Sequence, residues 1–399
     1  MDTQELLDIE RQHGARNYTP LEIVLTRGEG VWVYDTDGNR YLDGLSAYSA
    51  LNHGHCHPRL VNKLTQQAQR LTLTSRAFHT DQYPLLLRRL AELTGYETSL
   101  LMNTGVEAVE TALKLARKWA YTVKDVPLDR AEILMAQNNF HGRTITAISG
   151  STEPLYREYF GPHTPGFEIV PYGDSQALEA AITPYTAAVL LEPIQGEAGV
   201  ILPPAGYLQQ VSEICRRHNV LLIMDEIQTG LGRTGRLFAH YYEGIHPDVV
   251  IIGKALGGGM YPVSAILASR SLMDTFQAGE HGSTFGGNPL GAAVAVEALN
   301  VLVEENLVER SADAGAYALE RLQAHESPVV KEVRGKGLLI GIELTPTAGG
   351  ARRYCEQLMR LGVLCKETHD TVIRFAPPLI IDRTDLDWAI AQILTVLRS

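Results

Sequence analysis

The sequence predicts an α/β fold, with a large domain built on a mainly parallel sheet covered by helices and a smaller α/β domain beside it. Three observations point there. Short apolar segments alternate along the chain with amphipathic helical patterns. The clearest of those segments are apolar on both faces, as strands sandwiched between two helical layers must be. After Asn288-Pro289 a long helical pattern opens and the character of the chain changes, as it does where one lobe hands over to another. With 399 residues, 45% of them hydrophobic and 20% charged, the chain can bury a core in more than one lobe.

The strand candidates are Ala187–Leu191, Val220–Met224, Asp248–Ile252 and Val263–Leu267. From Val329 to Leu344 and from Val363 to Leu379, shorter strands and helices suit the smaller lobe. No internal repeat, low-complexity tract or Pro/Gly/Ser-rich linker marks the division.

Charge and targeting narrow the function. The chain carries 35 basic and 46 acidic side chains, a formal charge of −11, and no basic cluster. Nucleic acid and anionic membrane surfaces are therefore poor partners, and a small metabolite is the better expectation. The acidic start, 1–10, is neither a secretory signal nor a transit peptide, and no apolar run is long enough to span a bilayer. Cys56, Cys215, Cys355 and Cys365 are scattered and form no C-x-x-C pair. These features lead us to expect a cytoplasmic protein.

The chemistry starts at the end of the second strand. Its apolar run closes on Asp225-Glu226, and further on a lone lysine, Lys254, opens the run Ala255-Leu256-Gly257-Gly258-Gly259. A lysine amine can hold an aldehyde cofactor as a Schiff base. A carboxylate at a strand end can keep a cofactor ring nitrogen protonated, so that the ring accepts electrons from a breaking bond. The pair points to pyridoxal phosphate.

A phosphate needs donors. Thr104 followed by Glu107 reads as a capping box, with Val106, Val109, Leu113, Ala116 and Ala120 as the apolar stripe of the helix behind it. Free backbone N–H groups at that start, with Gly105 allowing close approach, suit a phosphate dianion, although on this segment alone an ordinary capped helix is the favoured reading. Ser283 and Thr284, in Gly282-Ser283-Thr284-Phe285-Gly286-Gly287, offer hydroxyls for the same purpose or simply make a turn. The glycines after Lys254 lack the spacing of a nucleotide P-loop. The run His53-Gly54-His55-Cys56-His57 contains zinc-type ligands, and a non-enzymatic metal-binding protein is the remote alternative. The ligands are crowded into one short loop, so hydrogen-bonded histidines in a tight turn are the expectation and no metal site is assigned.

Taken together, these motifs carry a resemblance that covers essentially the whole chain. It rests on Ser46–Ala50, Leu73–Phe78, Asn103–Ala108, Glu192–Gly199, Asp225–Gly230, Gly253–Leu256, His281–Thr284 and Ile373–Pro378. The chain resembles the class III, or ω-amino acid, aminotransferases of the fold-type I pyridoxal phosphate family, and within them the branch that acts on ornithine. The resemblance implies that Lys254 binds the cofactor and shuttles a proton, Asp225 pairs with its ring nitrogen, and Gln228 meets its ring hydroxyl. It also implies that Phe140 stacks on the ring, Gly105 and Val106 give amides to the phosphate, and Thr284 reaches the phosphate of a neighbouring subunit.

For substrate, the resemblance implies that Arg374 binds the α-carboxylate of glutamate or 2-oxoglutarate and is masked by Glu197 when ornithine is bound. Arg143 would anchor the other carboxylate, with Tyr18 assisting at ornithine. Tyr48 would separate the ornithine branch from acetylornithine and 4-aminobutyrate relatives, which tend to carry a small or aliphatic residue there. Arginine's planar fork is the right type for carboxylates. Phe285 departs from the tyrosine common after the phosphate-binding threonine. The implied assembly is a homodimer with shared sites, further assembly being open, and the implied setting is arginine breakdown or proline supply. The corresponding domains are 1–45 as an N-terminal segment packing with the small domain, 46–288 as the large cofactor-binding domain and 289–399 as the small domain.

Overall fold

The computed structural model describes residues 1–398. Its centre is a seven-stranded sheet with the order Thr98–Met102, Ser264–Ala268, Val249–Ile252, Leu221–Asp225, Thr186–Leu191, Glu132–Ala136, Phe167–Val170. The last five of these run parallel to one another. Ser264–Ala268 is antiparallel to both of its neighbours, so the sheet is mainly parallel, as expected, with one reversed strand. The reason is local: the connection from Ile252 to Ser264 holds only a short 3-10 turn and no crossover helix, and a parallel return needs such a crossover.

Alternation along the strands divides the core. Ile133, Met135, Ala188, Leu190, Ile223 and Ile251 face the helix Gly105–Thr122, meeting Ala108, Val109, Ala112 and Ala116. Leu134, Ala136, Val189, Leu191, Leu222 and Met224 face the opposite way, onto Leu208, Val211 and Ile214 of the helix Tyr207–Arg217. Each fully buried Leu, Ile or Val in these layers contributes about 1.5–3 kcal/mol by leaving water. That two-sided burial explains why the strands read as continuous apolar runs.

The C-terminal region starts where Asn288 caps the helix Pro289–Glu304: its Oδ1 accepts from Gly291 N at 2.8 Å, and proline takes the first position, where no donor is missed. Beyond the helix Leu307–Gln323, the strands Val330–Lys336, Leu339–Leu344, Val372–Phe375 and Lys366–Thr368 form an antiparallel sheet. A further sheet joins the two ends of the chain. Leu25–Glu29, Trp32–Asp35 and Arg40–Asp43 make a meander, and Val363–Leu364 pairs in parallel with Arg40–Asp43.

Between this meander and the large sheet, Ser46, Ala47, Tyr48 and Ser49 all lie in the left-handed region, with φ of 52°, 46°, 60° and 73°. A left-handed turn of non-glycine residues costs about 1–2 kcal/mol per residue. It is held by Asp43 Oδ1, which accepts from Leu45 N and Ser46 N, and by Ser46 Oγ, which donates to Ala376 O at 2.5 Å. Among the described residues, no helix is long and apolar enough to cross a membrane.

Candidate active site

The C-terminal ends of the parallel strands are where an open α/β sheet offers a crevice, and three chemistry-bearing residues arrive there. Asp225 ends its strand; Glu192 follows Leu191 on the neighbouring strand; Lys254 follows Ile252 by two positions. They line one cavity of about 200 Å³ together with Gly105, Val106, Phe140, His141, Gly142, Ile194, Glu197, Ile227, Gln228 and Thr229.

Thr104 and Glu107 form the capping box. Glu107 Oε2 accepts from Thr104 N at 2.8 Å and from Asn103 N at 2.9 Å, while Thr104 Oγ1 accepts from Glu107 N. With the cap so satisfied, Gly105 and Val106 stand at the cavity wall at the positive end of the helix. A Cβ on Gly105 would come 3.0 Å from Ile227 Cδ1; one on Gly142 would come 2.3 Å from Val106 Cγ2, and Gly142 has φ of +124°. The side chains of Ile227 and Val106 thus pack into the space that a Cβ on Gly105 or Gly142 would take.

Asp225 is held from two sides: Oδ1 accepts from Ile227 N at 3.1 Å, and Oδ2 meets His141 Nδ1 at 2.7 Å. Burial pushes the His141 imidazole down, but its hydrogen bond to Asp225 and the Asp225 charge outweigh that and raise it. Its Nε2 is buried without a hydrogen-bond partner. Glu192 Oε2 accepts from Phe140 N at 3.0 Å. Burial drives Glu192 up to about 8, with the Asp225 charge adding to it and His141 opposing. Lys254, itself in the left-handed region at φ 43°, is pushed below the ordinary lysine value by burial, with Glu197 opposing and Arg374 adding.

On the far side, Arg374 Nη1 meets Glu197 Oε1 at 2.7 Å, the arginine side chain being 1% exposed. Burial alone would raise Glu197. The charges of Arg374 and Lys254, with hydrogen bonds from Arg374 and Gln228, overcome it and hold the carboxylate at about 2. The Arg374 guanidinium carbon also lies 4.9 Å from the centre of the Tyr48 ring.

Of the residues expected from sequence, the cavity brings together Gly105, Val106, Phe140, Glu197, Asp225, Gln228 and Lys254. Arg374 and Tyr48 join it through Glu197. Arg143 is exposed, with its guanidinium carbon 4.0 Å from the centre of the Tyr156 ring and 5.7 Å from that of Phe140. Tyr18 is 71% exposed and lines, with Tyr48, a separate apolar cavity against the N-terminal meander. Ser283 accepts from Asn103 Nδ2 at 2.8 Å, beside the cap but outside the cavity wall, and Thr284 is exposed. His141 and Glu192 were not singled out from sequence.

In the loop of histidines, each imidazole has its own partner: His53 Nε2 meets Ala298 O at 2.9 Å, His55 meets Asp43 at 2.8 Å, and His57 meets Glu305 at 3.2 Å. Among the described residues no cluster of His, Cys, Asp or Glu could hold a metal ion.

The family model described as Aminotransferase class-III matches residues 13–397. The chain belongs to the class-III aminotransferase family. This class-III aminotransferase is 57% identical over 395 residues to a protein named ornithine aminotransferase from Brevibacillus brevis, a match covering 99% of this chain and 98% of the relative. It superposes with a TM-score of 0.98 on an ornithine aminotransferase from Toxoplasma gondii, described with partial occupancy of PLP at its active site. That structure is 46% identical, and the match covers 99% of this chain and 94% of the other. An acetylornithine aminotransferase structure from Elizabethkingia anophelis is also similar, at 44% identity and a TM-score of 0.90, covering 100% of this chain and 99% of that one.

The cofactor of this class-III aminotransferase is pyridoxal phosphate, and the cavity fits it. There is a lysine for the aldehyde and a carboxylate backed by a buried histidine for a ring nitrogen. A helix start narrowed by two glycines suits the phosphate, and Phe140 stands at the wall.

Proposed function

We propose that this protein is an ornithine δ-aminotransferase. It moves the δ-amino group of L-ornithine to 2-oxoglutarate in two half-reactions. The first releases glutamate 5-semialdehyde, which loses water and cyclises to pyrroline-5-carboxylate; the second makes glutamate. The observation that carries this reading is the Arg374–Glu197 pair at 2.7 Å beside the Tyr48 ring. One pocket has to accept ornithine by its far amine and later a dicarboxylate. A carboxylate-binding arginine covered by a movable glutamate reconciles the two, and the name of the Brevibacillus relative supports it.

Pyridoxal phosphate, when bound, supplies an aldehyde carbon for the amine and a ring that draws electrons from the substrate carbon. Around it, Lys254 Nζ acts as the base at the amine-bearing carbon; burial favours its neutral form, which is the form that can take a proton. Asp225, oriented by His141, would hold a proton at the ring nitrogen. Gly105 and Val106 would hold the phosphate through their amides, joined by Ser283 and by Thr284 of a second copy of the chain. Gln228 would meet the ring hydroxyl, and Phe140 would cover the ring face.

In the first half-reaction Glu197 stays on Arg374, Tyr48 receives ornithine's α-amino group, and Tyr18 and Arg143 take its carboxylate. In the second, Glu197 moves aside and Arg374 and Arg143 take the two carboxylates of 2-oxoglutarate.

Thr284's exposure, away from the cavity of its own chain, supports a homodimer with shared sites. The pairing of 363–364 with 40–43 supports grouping segment 1–45 with a small domain at 289–399, around a large domain at 46–288. A cytoplasmic setting in ornithine breakdown or proline supply completes the proposal. The test is a half-reaction: cofactor-loaded protein mixed with L-ornithine, N-acetylornithine or 4-aminobutyrate alone. Loss of the cofactor's absorbance band, with pyrroline-5-carboxylate formed from ornithine, is the expected result. Preferential reaction with either of the other amines moves the substrate assignment to a sister activity.

A further inference from the structure

Gln228 does more at this site than face the cofactor. Its Nε2 donates to Glu197 Oε1 at 2.9 Å, and its Oε1 accepts from Arg374 Nη1 at 3.4 Å. The amide therefore touches both members of the ion pair, donating to the carboxylate and accepting from the guanidinium. A carboxamide carries its donor NH2 and its acceptor oxygen on one carbon, so one planar group can serve both partners side by side. Gly196 makes room for it: a Cβ there would sit 1.6 Å from Gln228 Oε1, inside any possible contact. Gly196 is not in the left-handed region, so its lack of a side chain answers to this space rather than to its backbone.

We infer that Gln228 is a positioning residue that latches Glu197 onto Arg374, keeping the site closed to dicarboxylates until the latch releases. This rests on the reading of Arg374 and Glu197 as the carboxylate gate. The amide nitrogen carries two hydrogens, so one serves Glu197 while the other remains for an acceptor in the cavity. A hydrogen bond to a charged acceptor is among the stronger ones, and its loss shifts the gate toward the open arrangement. A ligand that binds only the open arrangement gains affinity in proportion to the open fraction. Ornithine, which requires the closed arrangement, moves the other way.

The test uses cofactor-loaded wild-type protein and three variants, with glutarate, a five-carbon dicarboxylate that has no keto group to react, as the probe. Glutarate binding is measured by calorimetry, and the KM for ornithine is measured in the half-reaction. Gln228→Met should bind glutarate about tenfold more tightly while its ornithine KM rises, on the scale of one charge-assisted hydrogen bond. Gly196→Ala should do the same by displacing the amide, and it gives the answer if Gln228→Met loads cofactor poorly. A variant that is merely damaged weakens both ligands, so the opposed signs are the diagnostic.

Unchanged or weaker glutarate binding would overturn the latch. Arg374→Met separates this from the underlying reading: if it binds glutarate as the wild type does, the gate itself is wrongly assigned. If it loses glutarate while Gln228→Met shows no gain, only the latch fails.

Discussion

His141 Nδ1 lies 2.7 Å from Asp225 Oδ2 with both side chains buried, so the carboxylate at the centre of the site has a fixed partner behind it. Removing that partner leaves a buried charge uncompensated. His141→Leu is predicted to lower stability by about 3–5 kcal/mol at pH 6, read by denaturant unfolding. The pH dependence has a definite sign. His141 is raised in the folded state, so its contribution is complete below the unfolded value near 6.5 and is lost as pH climbs through the higher folded value. The difference between wild type and variant should therefore shrink as pH rises.

Glu192 predicts a second pH effect. Burial lifts its carboxyl to about 8, so between the unfolded value near 4.3 and pH 8 the folded state holds a proton that the unfolded chain gives up. That term lowers stability as pH rises across this window. Glu192→Gln keeps an acceptor for Phe140 N and removes the titration. Its unfolding free energy should fall less than wild type between pH 5 and 8; equal slopes would show that Glu192 does not titrate there.

Much of this was legible because strand ends announce themselves. Asp225 closes an apolar run, Lys254 opens a glycine run, and the Thr104–Glu107 box marks a helix start. Glu192 was readable by the same rule. Leu191 pairs with Met224 in parallel register, so the next residue on each chain falls beside the other, and Glu192 stands next to Asp225. His141 gave no such signal, since it sits in a loop that only the fold brings behind Asp225.

The reversed strand Ser264–Ala268 was hidden because an apolar run buried on both faces reads alike in either direction. The meander of 25–43 was hidden because its strands are short and partly exposed. The left-handed turn at 46–49 contains no glycine, the residue that usually marks such backbone.

That turn presents Tyr48 to Arg374, and Tyr48→Val should relax selectivity. The kcat/KM for ornithine is predicted to fall by roughly 100-fold relative to that for N-acetylornithine or 4-aminobutyrate, the scale set by losing a hydrogen-bonding group and a blocking ring together. Parallel steady-state kinetics on the three amines check this. An unchanged ratio would make Tyr48 a packing residue only.

At the proposed phosphate end, Gly142→Ala places a Cβ 2.3 Å from Val106 Cγ2 at a φ of +124° that alanine adopts only under strain. About 1–3 kcal/mol of stability should be lost. Displacing Val106 should also weaken cofactor retention, read as faster loss of absorbance on dialysis. Retention equal to wild type would remove Val106 from the phosphate site.

The most direct measurement follows the nitrogen itself. Ornithine labelled with ¹⁵N at either the δ or the α position is incubated with 2-oxoglutarate and the cofactor-loaded enzyme, and the glutamate formed is analysed by mass spectrometry. The account predicts that the δ label appears in glutamate and the α label stays in pyrroline-5-carboxylate. Transfer of the α label, or glutamate formed without either, would contradict it.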